Sequence, residues 1–201
     1  MVYNFYKQLR DNADELERLL KSTLYSREDF LKCLDIYQGK VKASEMEKAR
    51  AFFVVCNQSF AGACLAFGFS KQHKRLCESF KYKSKSMSML KKRMESVQIE
   101  NLDAIKIIKK YDDNDAFFYI DPPYPGTNQA QYSGYSMDDF NKLTDCLLHI
   151  KGKFALSCYL KPEMVLSKKW KIVKKKTICR ATGVRRGGKK PLRQESLIMN
   201  Y

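Results

Sequence analysis

Apolar residues recur at helical spacing through the first half of the chain and gather into short unbroken runs in the second. Over residues 3–21 they fall at Phe5, Leu9, Leu16, Leu19 and Leu20, which predicts an amphipathic helix. Ser26 with Asp29 three positions on predicts the cap of a second helix, running to about Tyr37. Ser44 with Glu47 predicts a third, carrying Ala49, Phe52, Phe53 and Cys56. A further amphipathic helix holds Ile105, Ile107 and Ile108. Residues 116–120 are wholly apolar, lie between Asp-rich and Pro-rich sequence, and read as a fully buried parallel strand. Ser136 and Asp139 open the next helix, over Phe140, Leu143, Leu147 and Leu148, with Gly152 as its stop. Residues 153–159 read as the next buried strand, 170–173 and 177–181 as two short strands, and 195–201 as a closing one. Helices alternating with buried strands predict an α/β core.

Composition narrows the class. At 201 residues the chain is expected to form one domain, or one core with an inserted lobe, and 44% apolar residues suffice for that core. Against 22 acidic residues stand 38 basic ones, a net charge of +16. Such an excess implies a polyanionic partner whose grip weakens with salt. No run of ~18 apolar residues exists, so no membrane-spanning helix is expected. The first 20 residues carry scattered acids and no apolar block, unlike a signal peptide. Seven cysteines without a C-x-x-C pair predict reduced thiols in a cytoplasmic protein rather than disulfides or zinc. His73 and His149 stand alone, and no metal site is expected.

The chemistry concentrates where the apolar run 116–120 enters Asp121-Pro122-Pro123-Tyr124. Two prolines in a row remove two backbone donors and lock φ. What remains is one carboxylate, backbone carbonyls and an aromatic ring. Such an acceptor-only cluster suits a planar group bearing an NH₂ and a π-face, which describes a nucleobase. Ligand sites in open α/β sheets lie at the carboxyl ends of strands, where this segment falls.

These residues resemble the DNA amino-methyltransferases, most closely the DNA adenine methylase (Dam-like) family. The resemblance implies methyl transfer from S-adenosylmethionine to the exocyclic amine of an adenine flipped out of double-stranded DNA. In that reading Asp121 and the Pro122 carbonyl accept the amine's hydrogens, Pro123 stiffens the loop and Tyr124 stacks on the base. Residues 153–159 resemble the family's following Leu-Ser segment, which brings Ser157 toward the site. The ending Glu195-Ser196-Leu197-Ile198-Met199-Asn200-Tyr201 resembles the family's last strand, behind a basic hairpin loop with Arg185, Arg186, Lys189 and Lys190. Residues 97–103 match a strand that approaches the cofactor, with Glu100 and Asn101, beside Asp121, as cofactor-binding candidates. The basic stretch 71–93 corresponds to the DNA-recognizing lobe, with Lys81, Lys83, Lys85, Lys91, Lys92 and Arg93 expected on phosphates, together with the Lys and Arg of residues 168–193, Arg185, Arg186, Lys189 and Lys190 among them.

The implied fold is an incomplete Rossmann-like methyltransferase sheet, from residues 1–21 and 96–201, with a mainly helical DNA-recognition lobe inserted over 22–95. It is incomplete because the family opens on a Phe-x-Gly-x-Gly turn that cradles the cofactor, and the nine glycines here include no Gly-x-Gly. Phe60-Ala61-Gly62 lacks the second glycine and does not replace it. The expectation is a split enzyme whose missing turn comes from a small partner chain, or a homodimer. The alternatives are a non-catalytic DNA-binding remnant or regulator, and a permuted variant that binds cofactor differently. RNA or cytosine as substrate would keep the same chemistry.

Overall fold

The computed structural model describes residues 1–70, 73–126, 134–178 and 192–201. They form two compact units, Met1–Asn101 and Leu102–Tyr201.

The first unit is helical: α1 (Val2–Asp11), α2 (Ala13–Ser22), α3 (Arg27–Tyr37), α4 (Glu45–Gln58), a 3₁₀ turn (Phe60–Gly62), α5 (His73–Ser84) and α6 (Met87–Met94). Its core gathers Phe5, Leu9, Leu16, Leu20, Phe30 and Val54. Thus α1 and α2, grouped with the catalytic core on sequence grounds, share their buried residues with the helices that follow. The single helix expected over 3–21 is broken at Asn12, whose backbone leaves helical angles (φ −138, ψ 42) while its side-chain amide donates to Gln8 Oε1 at 2.9 Å. Two predicted caps form: Ser26 Oγ accepts from Asp29 N at 3.0 Å, and Ser44 Oγ from Glu47 N at 3.2 Å.

The second unit is α7 (Ala104–Tyr111), β1 (Phe117–Ile120), α8 (Met137–Leu148), β2 (Lys153–Cys158), β3 (Lys171–Ile178) and β4 (Leu192–Met199). The sheet runs β1-β2-β4-β3, with β1 and β2 parallel and β4 antiparallel to both neighbours. Phe154, Leu156 and Ile198 on one sheet face pack with Ile108 of α7 and with Phe140, Leu143 and Leu147 of α8. The predicted cap of α8 is a complete capping box between Ser136 and Asp139. Beyond α8 the Asp112 carboxylate accepts from the amides of Lys151 and Gly152, each at 3.0 Å. Asn200 ties down the start of β2, accepting from Phe154 N at 2.9 Å and donating to Gly152 O at 3.0 Å.

Four sequence expectations are corrected. The β1 strand is not fully buried: Phe117 is 56% and Tyr119 66% exposed, because only the opposite face, with Phe118 and Ile120, packs on the core of this unit. Residues 97–103 form no strand and straddle the boundary between the two units, so they take no place in the sheet. The two short strands expected around 170–181 are a single one, β3, whose lysines stand exposed on the opposite edge and so do not interrupt it. The closing strand begins at Leu192, three residues early, because β3 pairs it that far.

Candidate functional site

Strand β1 delivers the chain directly into residues 121–124, and parallel pairing with β2 brings Ser157 alongside. The Tyr124 hydroxyl donates to Asp121 Oδ1 at 3.0 Å and lies 2.7 Å from Ser157 Oγ. Burial pushes the Tyr124 phenol up to about 12, against the lowering effect of the Ser157 bond; Asp121 adds to the rise. It is therefore a neutral hydrogen-bonding ring at any physiological pH. Asp121 itself is exposed. A carboxylate open to solvent beside a half-buried ring can accept an N–H while the ring stacks on the group that carries it.

Strand parity adds residues that the sequence did not single out. Ser157, two positions before Tyr159, faces Leu197 across the β2–β4 ladder, and Glu195 and Arg193 follow on the same face of β4. The Tyr159 ring meets that of Tyr124 edge to face, centroids 4.6 Å apart. Its hydroxyl lies 3.5 Å from Glu195 Oε1, and the Arg193 guanidinium sits 5.5 Å from its centroid. The available signal was alternation: once Ser157 faces the site, Tyr159 does too.

On the other side of β1 lies a cleft of about 740 Å³, walled by α7 and α8, with Phe118, Ile120, Asp121, Pro122 and Tyr135 among its lining. Its walls are mainly apolar. The Tyr135 hydroxyl is buried without a hydrogen-bond partner among the described residues, and burial, seconded by the Asp139 charge, raises it to about 12.

Of the predicted site residues, Asp121, Pro122, Pro123 and Tyr124 stand together at this site. Glu100 and Asn101 belong to the end of the first unit, where Gln98 Nε2 donates to Glu100 Oε1 at 3.3 Å. Lys81, Lys83 and Lys85 lie exposed on α5 and just beyond it, and Lys91, Lys92 and Arg93 are exposed on α6; Lys83 Nζ reaches Asn57 Oδ1 at 2.9 Å. Arg185, Arg186, Lys189 and Lys190 fall outside the described residues.

No curated protein matches the chain. A family model does, over residues 1–177: that of the D12 class N6 adenine-specific DNA methyltransferases. The mixed α/β unit is consistent with a methyltransferase fold. Because the match runs through both compact units and takes in the Asp-Pro-Pro-Tyr segment, the chain belongs to the D12 class N6 adenine-specific DNA methyltransferase family.

Proposed function

We propose that this chain holds and activates the target adenine in a DNA N6-adenine methyltransferase reaction. The observation that carries this reading is the triangle of Asp121, Tyr124 and Ser157. In it the acceptor for an N–H and the ring for a base face are set side by side at the end of a strand. The Tyr124 O–H occupies Asp121 Oδ1; an exocyclic amine entering the site replaces that donor with its own N–H. Held by Asp121 and the Pro122 carbonyl, the amine is pyramidalized, and its lone pair points out of the ring plane. Asp121 also supports the positive charge that develops on the nitrogen. Ser157 retains Tyr124 as the ring settles on the flipped base.

D12 class methyltransferases generally use S-adenosylmethionine, which supplies the methyl group. The residues present fit its cationic, partly apolar end: the cleft along α7 and β1 has apolar walls, the Asp121 carboxylate, and the unpartnered Tyr135 hydroxyl. Glu100 and Asn101 remain the other cofactor candidates. The exposed cations of α5 and α6 serve as phosphate contacts on double-stranded DNA, and the +16 charge favours such a partner. A partner strand, from a small chain with the Phe-x-Gly-x-Gly turn or from a second copy, is supported by the open edge of β1 with its exposed Phe117 and Tyr119.

The test is methyl transfer from labelled S-adenosylmethionine to DNA, with the chain alone and with a candidate partner. Asp121→Ala is expected to abolish transfer while DNA affinity stays within about twofold. A large loss of affinity would overturn the assignment of Asp121 to catalysis. Absence of cofactor binding with every partner would leave only a DNA-binding role.

A further inference from the structure

The β2–β4 ladder covers only residues 155–158 and 196–199, whereas β3 and β4 pair over eight residues each, from Lys171↔Met199 to Ile178↔Leu192. The last four of those pairs run beyond Cys158 as a free two-stranded ribbon. At roughly 3.3 Å per residue the overhang reaches ~13 Å. It extends in the direction of the carboxyl ends of β1 and β2, where residues 121–124 lie.

The ribbon is cationic. Lys174 at its root, opposite Ser196, and Lys175 and Lys176 on the overhang are consecutive and exposed, and none has an ion-pair partner among the described residues. Several lysines on the helices do carry an acidic partner: Lys32 pairs with Glu28, Lys48 with Glu45 and Lys142 with Asp139. On β4, Arg193 lies over the Tyr159 ring, which in turn meets Tyr124, so a line of contacts joins the ribbon to the base-holding site. Glu195, the cross-strand neighbour of Lys175, is directed at the Tyr159 hydroxyl.

The geometry points to this overhanging ribbon as a DNA-docking element. Lys174, Lys175 and Lys176 take phosphates of the duplex, and Arg193 takes the phosphate nearest the extruded nucleotide. This rests on the reading that residues 121–124 act on a base in DNA. A two-stranded ribbon has a cross-section that a duplex groove admits, and same-face lysines recur at about 6.6 Å, near the spacing of successive phosphates along one strand. The competing explanation is that lysines on an edge strand only prevent edge-to-edge aggregation.

The experiment titrates a fluorescent DNA duplex with the full chain at rising salt. It compares the parent, Lys174→Gln/Lys175→Gln/Lys176→Gln on the ribbon, and Lys106→Gln/Lys109→Gln/Lys110→Gln on α7, which removes equal charge. The ribbon variant is expected to lower the slope of log affinity against log salt by about 2 to 3, while the α7 variant keeps the parent's slope. Arg193→Gln is expected to lower it by about 1. Equal losses in both triple variants would reduce the ribbon to general charge. An unchanged slope with elution shifted to aggregates would establish edge protection instead. The readout needs no methyl transfer, so a chain inactive on DNA still tests the ribbon, and active chains with an unchanged slope sink the ribbon alone.

Discussion

The Tyr124 hydroxyl makes two bonds, to Asp121 and to Ser157, while its ring is the proposed platform for the base. The two functions separate by substitution. Tyr124→Phe removes both bonds and keeps the ring, so methyl transfer is expected to stay within about tenfold of the parent. Tyr124→Ala removes the ring, and the stacking loss of about 1–3 kcal/mol lowers kcat/KM by roughly 5- to 150-fold. Equal effects of the two variants would sink the stacking role. Residues 121–124 were legible in the sequence because they are contiguous. Tyr159, Arg193 and Glu195 were not, since only the ladders β1–β2 and β2–β4 carry them to the site.

At the scale of elements, what was local was readable. The caps at Ser26, Ser44 and Ser136 each rest on an acid three positions on, and all three form. What depended on neighbours was not: which face of β1 is covered and how far β3 runs are set by the elements packed and paired beside them. Gly152 illustrates the same point. Its role as a helix stop was expected, yet α8 already ends at Leu148, and the glycine instead allows a close backbone approach. A Cβ there would stand 2.9 Å from the carbonyl oxygens of Asp113 and Ala116. Gly152→Ala is therefore expected to destabilize the second unit by about 1–3 kcal/mol, measured by urea unfolding followed at Trp170, which packs on Phe154 of β2. A loss below ~0.5 kcal/mol would show that the 113–116 turn yields freely.

At the scale of the whole molecule, buried neutral acids set an alkaline limit. Burial raises the Cys33 and Cys158 thiols to about 11, and Cys56, beside Cys64, to about 12, from a usual 9.0. Tyr124 and Tyr135 rise to about 12 from 10.0. Each folded value lies above its unfolded one, so the unfolded chain loses these protons first. Stability is fully present below about pH 9 and falls as pH climbs from 9 to 12. Urea midpoints at stepped pH, under reducing conditions, check this; a midpoint that rises above pH 9 would contradict it. Asp112 acts at the other end. The amides of Gly152 and Lys151 hold its carboxyl below the usual range, so its contribution is present above the unfolded value and lost as pH falls through the folded one. An α/β chain with a basic helical half was legible from composition and pattern.

The two edges of the sheet differ, and symmetry turns that difference into a constraint on assembly. The β3 edge repels a second copy of itself through Lys174, Lys175 and Lys176, while β1 offers apolar Phe117 and Tyr119. Two identical chains meeting at β1 must be related by a twofold axis, and a twofold axis sets the joined strands antiparallel. A strand that continues the parallel β1–β2 arrangement cannot be the β1 of a second copy. The relative direction of strands across that junction, read by isotope-edited infrared spectroscopy or site-directed crosslinking, therefore tells whether two copies are joined through their β1 edges.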